Sequence, residues 1–96
     1  MRPALNDKQI HRMAWRIGRF RRLGMPEDRA EKLADRLADR DHDRDDRRVC
    51  AECVNLAQDG SCMPARQGRM RNVSRRFEPV QDLLQRCDHF DFAKPA

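Results

Sequence analysis

Four cysteines, Cys50, Cys53, Cys62 and Cys87, lie in one stretch with the pattern C-x2-C-x8-C-x24-C. Two cysteines separated by two residues can wrap one metal ion from a tight knuckle, and two more thiolates from distant points close a tetrahedral shell. The spacing therefore points to a structural Zn²⁺ site held by Cys50, Cys53, Cys62 and Cys87. His89, two residues after Cys87, and His42 are alternative fourth donors. Two disulfides or buried free thiols are the competing readings, and a reducing compartment weighs against the first. A thioredoxin-type redox reading of Cys50-Ala51-Glu52-Cys53 needs a strand before the motif and a helix after it, and neither pattern surrounds it. Four protein ligands leave no open position for water, so the site is read as structural rather than hydrolytic.

The rest of the chain explains why an ion is needed. Of 96 residues, 39% are apolar and 39% charged. A chain this small and polar buries little surface, and such domains lean on a metal, disulfides or a partner. Zinc held by thiolates contributes on the order of 10 kcal/mol to folding in zinc-finger peptides. No apolar run is long enough for a membrane helix, and the first residues lack the apolar core of a signal peptide. A cytoplasmic location is expected.

The net charge is +5 but unevenly spread. Residues 1–24 carry +6, residues 25–49 carry −2, and residues 50–96 carry +1. A basic face suggests an anionic partner, either nucleic acid or an acidic protein surface. The candidate contacts are Arg12, Arg16 and Arg19 on the first helix and Arg66, Arg69, Arg71, Arg75 and Arg76 in a block without acids. The bland reading of each is a solvated helix side or a solvated loop. The block lacks the interleaved aromatics that stacking on single-stranded bases would use.

Periodicity gives the fold. Asn6 and Gln9 spell a capping box, and Ile10, Met13, Ile17 and Phe20 form one stripe of a helix over residues 7–22. Gly24 ends it in a left-handed conformation. Pro26 opens a second helix over residues 26–41, with Ala30, Leu33, Ala34, Leu37 and Ala38 as its apolar face. The short turn between them predicts an antiparallel hairpin. Asp41 to Arg48 contains no apolar residue; continued helix through its first half is the reading taken, with a hinge as the alternative. Its carboxylates read as a solvated face rather than as a metal or catalytic cluster. Asp59-Gly60 signals a β-hairpin that returns Cys62 to the knuckle. Pro79 starts a third helix with Val80, Leu83, Leu84 and Cys87 on one face. Phe90 and Phe92 cover the site. The fold class is mainly α: residues 1–48 an N-terminal antiparallel helical hairpin with a charged extension, residues 49–92 a small four-cysteine zinc module with a short β-hairpin and one C-terminal helix, residues 93–96 a disordered tail.

Three segments carry a resemblance: Arg36-Leu37-Ala38-Asp39-Arg40-Asp41, then Asp45-Asp46-Arg47-Arg48-Val49-Cys50-Ala51-Glu52-Cys53, then Leu84-Gln85-Arg86-Cys87-Asp88-His89-Phe90. Over residues 20–90 the chain resembles small uncharacterised cysteine-rich proteins of proteobacterial phages, plasmids and integrative elements. A similar ending occurs in larger replication-associated proteins of such elements. The resemblance implies a zinc-binding accessory protein; it supplies no biochemical activity and carries over no site beyond the four cysteines, and the arginines of residues 66–76 are not part of the pattern. The expected function is a non-enzymatic, zinc-stabilised nucleic-acid-binding or regulatory module of a phage or mobile element. The alternative is a phage inhibitor that docks a basic surface on a host defence complex, as an anti-CRISPR would. No nucleophile arrangement or phosphate-cradling glycine loop is legible.

Overall fold

The computed structural model of the chain describes residues 4–93. The chain divides into two compact units, Met1–Asp46 and Arg47–Ala96. Two long helices pack together in the first, and the protein is mainly helical.

Helix α1 spans Asp7–Arg22. Its capping box forms as the sequence requires: Gln9 N–H donates to Asn6 Oδ1 and Asn6 N–H donates to Gln9 Oε1, both at 2.9 Å. Gly24, at φ +98°, turns the chain out of the helix. Gly24 N–H donates to the Arg21 carbonyl and Met25 N–H to the Phe20 carbonyl. This is a Schellman closure, with Phe20 and Met25 both buried beside it. Helix α2 spans Glu27–His42 and follows Pro26, whose fixed φ suits a helix start.

The helical hairpin buries Phe20, Met25, Ala30, Leu33, Ala34 and Leu37. The larger of these side chains contribute about 1.5–3 kcal/mol each. The α2 face agrees with its periodicity. The α1 face is rotated from the expected stripe. Ile10 is 50% exposed, Met13 and Ile17 are half-buried, and Arg16 takes the inward place between Met13 and Phe20. The reason is electrostatic: Arg16 Nη2 lies 2.7 Å from Asp41 Oδ2, so a charged side chain can be inward when its partner waits on the facing helix.

Helix α2 does not run on through the first half of residues 41–48. Asp45 N–H donates to the Arg40 carbonyl, and Arg44 takes the left-handed position at φ +58°. A second Schellman closure thus ends the helix at His42, without a glycine.

The second unit contains almost no regular structure. Cys50–Glu52 form a single 3₁₀ turn and Met63–Arg66 a four-residue helix, α3. Three isolated antiparallel bridges join Arg48 to Gln85, Cys53 to Phe92 and Leu56 to Cys62. The last encloses the expected Asp59-Gly60 turn, with Ala57 N–H donating to the Ser61 carbonyl and Gly60 at φ +89°. It is a single bridge rather than a pair of strands.

The third helix expected from Pro79 to Cys87 is not formed; the segment is irregular. The Gln85 N–H and carbonyl both pair with Arg48, at 2.8 and 2.7 Å, and the Gln81 carbonyl accepts from Ala51 N–H. Backbone groups engaged with another segment cannot join a helix ladder. Val80 and Leu83 are consequently 61% and 53% exposed. Ala93 is tied in by its N–H, which donates to the Glu52 carbonyl at 2.8 Å. The remainder of the expected disordered tail lies outside the described residues.

Candidate metal centre

The knuckle is built by the 3₁₀ turn. Glu52 N–H donates to the Val49 carbonyl and Cys53 N–H to the Cys50 carbonyl at 2.9 Å, folding Cys50 and Cys53 toward each other. Val49 and Ala51 are fully buried and hold the turn in place. The Leu56–Cys62 bridge returns Cys62, and the pairing of residues 85 and 92 with residues 48 and 53 flanks Cys87 on both sides.

All four cysteines are free thiols. They line one cavity of about 30 Å³ together with Asn55, Leu56, Pro79, His89 and Phe90. That space suits a single small occupant. The thiols also sense one another. Cys50 is pushed up to about 11, first by burial and then by the charge of Cys53, with smaller contributions from Cys87 and Cys62. The amide of Gln85 works in the opposite sense, donating to Cys50 Sγ at 3.2 Å. Cys62 Sγ sits 3.7 Å from the thioether of Met70.

The donor chemistry fits a thiophilic divalent ion: four sulfurs and one imidazole residue around an otherwise apolar space. The coordination shell itself is not complete. Among the described residues no group of three or more histidine, cysteine, aspartate or glutamate side chains forms a ready-made metal site. An ion bound here would supply the attraction that offsets the mutual repulsion and desolvation of the four thiolates.

Phe90 lines the cavity, as expected of a covering aromatic. Phe92 packs edge-on against it, ring centroids 4.8 Å apart, and carries the Arg48 guanidinium 4.9 Å over its own ring. Gln85, Asn55 and Leu56 carry no motif that would single them out, and only the fold brings them here. His42 belongs to the hairpin unit, where it lines a cavity of about 170 Å³ with Gln9, Arg12, Met13, Arg16 and Asp41.

The arginines separate into two groups. Arg16 is removed from the contact surface: its side chain is only 7% exposed and is held by Asp41. Arg12 is exposed, with Nη1 3.7 Å from Asp41, and Arg19 is half-buried. In the second unit Arg66, Arg69, Arg71, Arg75 and Arg76 are all exposed. Arg66 Nη1 lies 4.0 Å from Asp59, and among the described residues the other four have no acidic partner.

The fold gives this run a defined start. α3 ends in a third Schellman closure, with Gly68 at φ +71°, Gly68 N–H donating to the Ala65 carbonyl and Arg69 N–H to the Pro64 carbonyl. A Cβ at Gly68 would meet Arg75 Nη2 at 2.7 Å, so the guanidinium of Arg75 rests on the bare face of that glycine. Comparisons with family models, curated proteins and solved structures each give no match, which leaves the side chains of this chain to carry the functional argument.

Proposed function

We propose that the chain is a non-enzymatic, zinc-stabilised nucleic-acid-binding or regulatory accessory protein, of the kind carried by phages and mobile elements. Cys50, Cys53, Cys62 and Cys87 hold the ion, and the exposed arginines of residues 66–76 grip phosphates. The observation that carries the reading is the meeting of four free thiols, from three separate points of the sequence, at one small apolar cavity. The second support is the nearly acid-free set of exposed arginines in the same unit. Arg12 and Arg19 are the contacts contributed by α1.

Elemental analysis of the protein purified without chelator is expected to give one zinc per chain. Binding to duplex DNA or to RNA is expected to weaken log-linearly with salt. Seven arginine–phosphate contacts, five from residues 66–76 and two from α1, correspond to a slope of about −6 on duplex DNA. A metal-free, folded protein contradicts the first part, and a flat salt response contradicts the second.

The second reading is a phage inhibitor docking on a host defence complex. The exposure of Val80 and Leu83 in the unit that carries the basic run favours it, since exposed apolar side chains near one another suit a protein surface and offer nothing to a phosphate. Undetectable nucleic-acid binding at low salt, with a nuclease-resistant partner in a host-lysate pull-down, selects this reading.

A further inference from the structure

The turn that brings Cys87 to the cavity brings a second donor with it. Phe90 N–H donates to the Cys87 carbonyl at 3.1 Å, which closes the turn Cys87-Asp88-His89-Phe90. Asn55 Nδ2 donates to the His89 carbonyl at 2.8 Å, and the Asn55 carbonyl accepts from Met63 N–H at 2.9 Å. The turn is therefore fastened to the segment between Cys53 and Cys62. Cys87 and His89 both line the cavity with Cys50, Cys53 and Cys62, and among the described residues no three of these side chains are already drawn together as a ligand set, so which four of the five close on a tetrahedral ion is left for the ion to select. The thiols are not equivalent: Cys53 is buried, Cys50 and Cys62 are half-buried, and Cys87 is exposed.

Resting on the metal reading above, we propose that the fourth coordination position is exchangeable: Cys50, Cys53 and Cys62 hold the ion, and either the Cys87 thiolate or the neutral imidazole of His89 completes the shell. Zinc has no ligand-field preference between four sulfurs and three sulfurs with one nitrogen. With an ion bound, the imidazole nitrogen of His89 would stand in for the sulfur of Cys87, and the displaced thiolate would take a proton from water and leave hydroxide in the solvent. No electron moves. The centre thus survives chemical loss of its most accessible ligand, with Asn55 as the residue that keeps the replacement positioned.

Cobalt(II) reports the two shells by its visible and near-ultraviolet bands. The full chain and the variants Cys87→Ser, His89→Gln and the double variant are titrated with Co²⁺ alone. The wild type and His89→Gln are expected to give four-thiolate spectra. Cys87→Ser is expected to keep one Co²⁺, with charge-transfer intensity lower by about a quarter and bands moved to shorter wavelength. The double variant is expected to bind about 100-fold more weakly. Loss of Co²⁺ by Cys87→Ser as complete as in the double variant overturns the proposal, as does a double variant that binds as well as Cys87→Ser.

A measurement without mutation covers a variant that fails to fold. Iodoacetamide on the native zinc protein is expected to modify Cys87 first, with one zinc still bound by native mass spectrometry. Release of zinc in step with that alkylation overturns the proposal. Failure of the metal reading itself has a different signature: the wild type takes up neither Co²⁺ nor Zn²⁺, and the exchange falls with it.

Discussion

Asp41 is the residue on which the helical hairpin's charges turn. Its Oδ1 accepts from Arg40 Nη2 at 2.8 Å and its Oδ2 from Arg16 Nη2 at 2.7 Å, and the side chains of both arginines are at least nine-tenths buried. Burial alone would raise the Asp41 carboxyl, but hydrogen bonds and charge from Arg40 and Arg16 outweigh it and hold it below its ordinary value. Because the folded state favours the charged form, this stability is present above the unfolded carboxyl value, about 4. It is lost as the pH falls through the lower folded value. Asp41→Asn is expected to lower hairpin stability by about 2–3 kcal/mol, since two inward guanidiniums lose a shared acceptor. It should also flatten the acid limb of the stability curve as the pH falls below the ordinary carboxyl value of about 4. Urea melts across that range check both points, and an unchanged acid limb contradicts the assignment.

The helices end by backbone geometry rather than by polarity, and one of these endings is strained. Arg44 occupies at φ +58° the position that Gly24 and Gly68 fill at the ends of α1 and α3. A left-handed backbone costs an ordinary L-residue roughly 1–2 kcal/mol, partly offset because glycine loses more entropy on folding. Arg44→Gly is therefore expected to stabilise the hairpin unit by about 0.5–1 kcal/mol, read as a rise in the thermal midpoint. A fall in the midpoint would argue that the Arg44 side chain makes a contribution that its exposure conceals. The limits of α1 and the start of α2 were legible because capping residues and a 3.6-residue period are local signals, whereas the end of α2 was not, since Arg44 closes it in a left-handed conformation without a glycine. The inward turn of Arg16 was not, because it depends on an aspartate 25 positions away. The irregular course of residues 79–87 was hidden for the opposite reason. Val80, Leu83, Leu84 and Cys87 have helical spacing, yet the Arg48–Gln85 bridge takes the backbone groups a helix would use. The cysteines were legible as a set, whereas Asn55 and Gln85 acquire meaning only from the fold.

At the scale of the whole molecule, the two units rest on different physics. The hairpin has two 16-residue helices and an apolar seam of its own. The second unit is tied by single backbone bridges around four thiols. Chelation of a zinc-loaded sample is expected to abolish amide protection across residues 47–93 while most of the helical circular-dichroism signal survives, because nearly all helix lies in α1 and α2. Simultaneous loss of both signals would mean that the hairpin depends on the ion as well.

The bridges from Arg48 to Gln85 and from Cys53 to Phe92 also impose a timetable. During synthesis the hairpin has everything it requires once α2 has emerged. The knuckle must wait, its thiols uncovered, until the stretch that carries Gln85 and Phe92 leaves the ribosome. Until then Cys50, Cys53 and Cys62 have been made while the residues that bridge back to their neighbourhood have not.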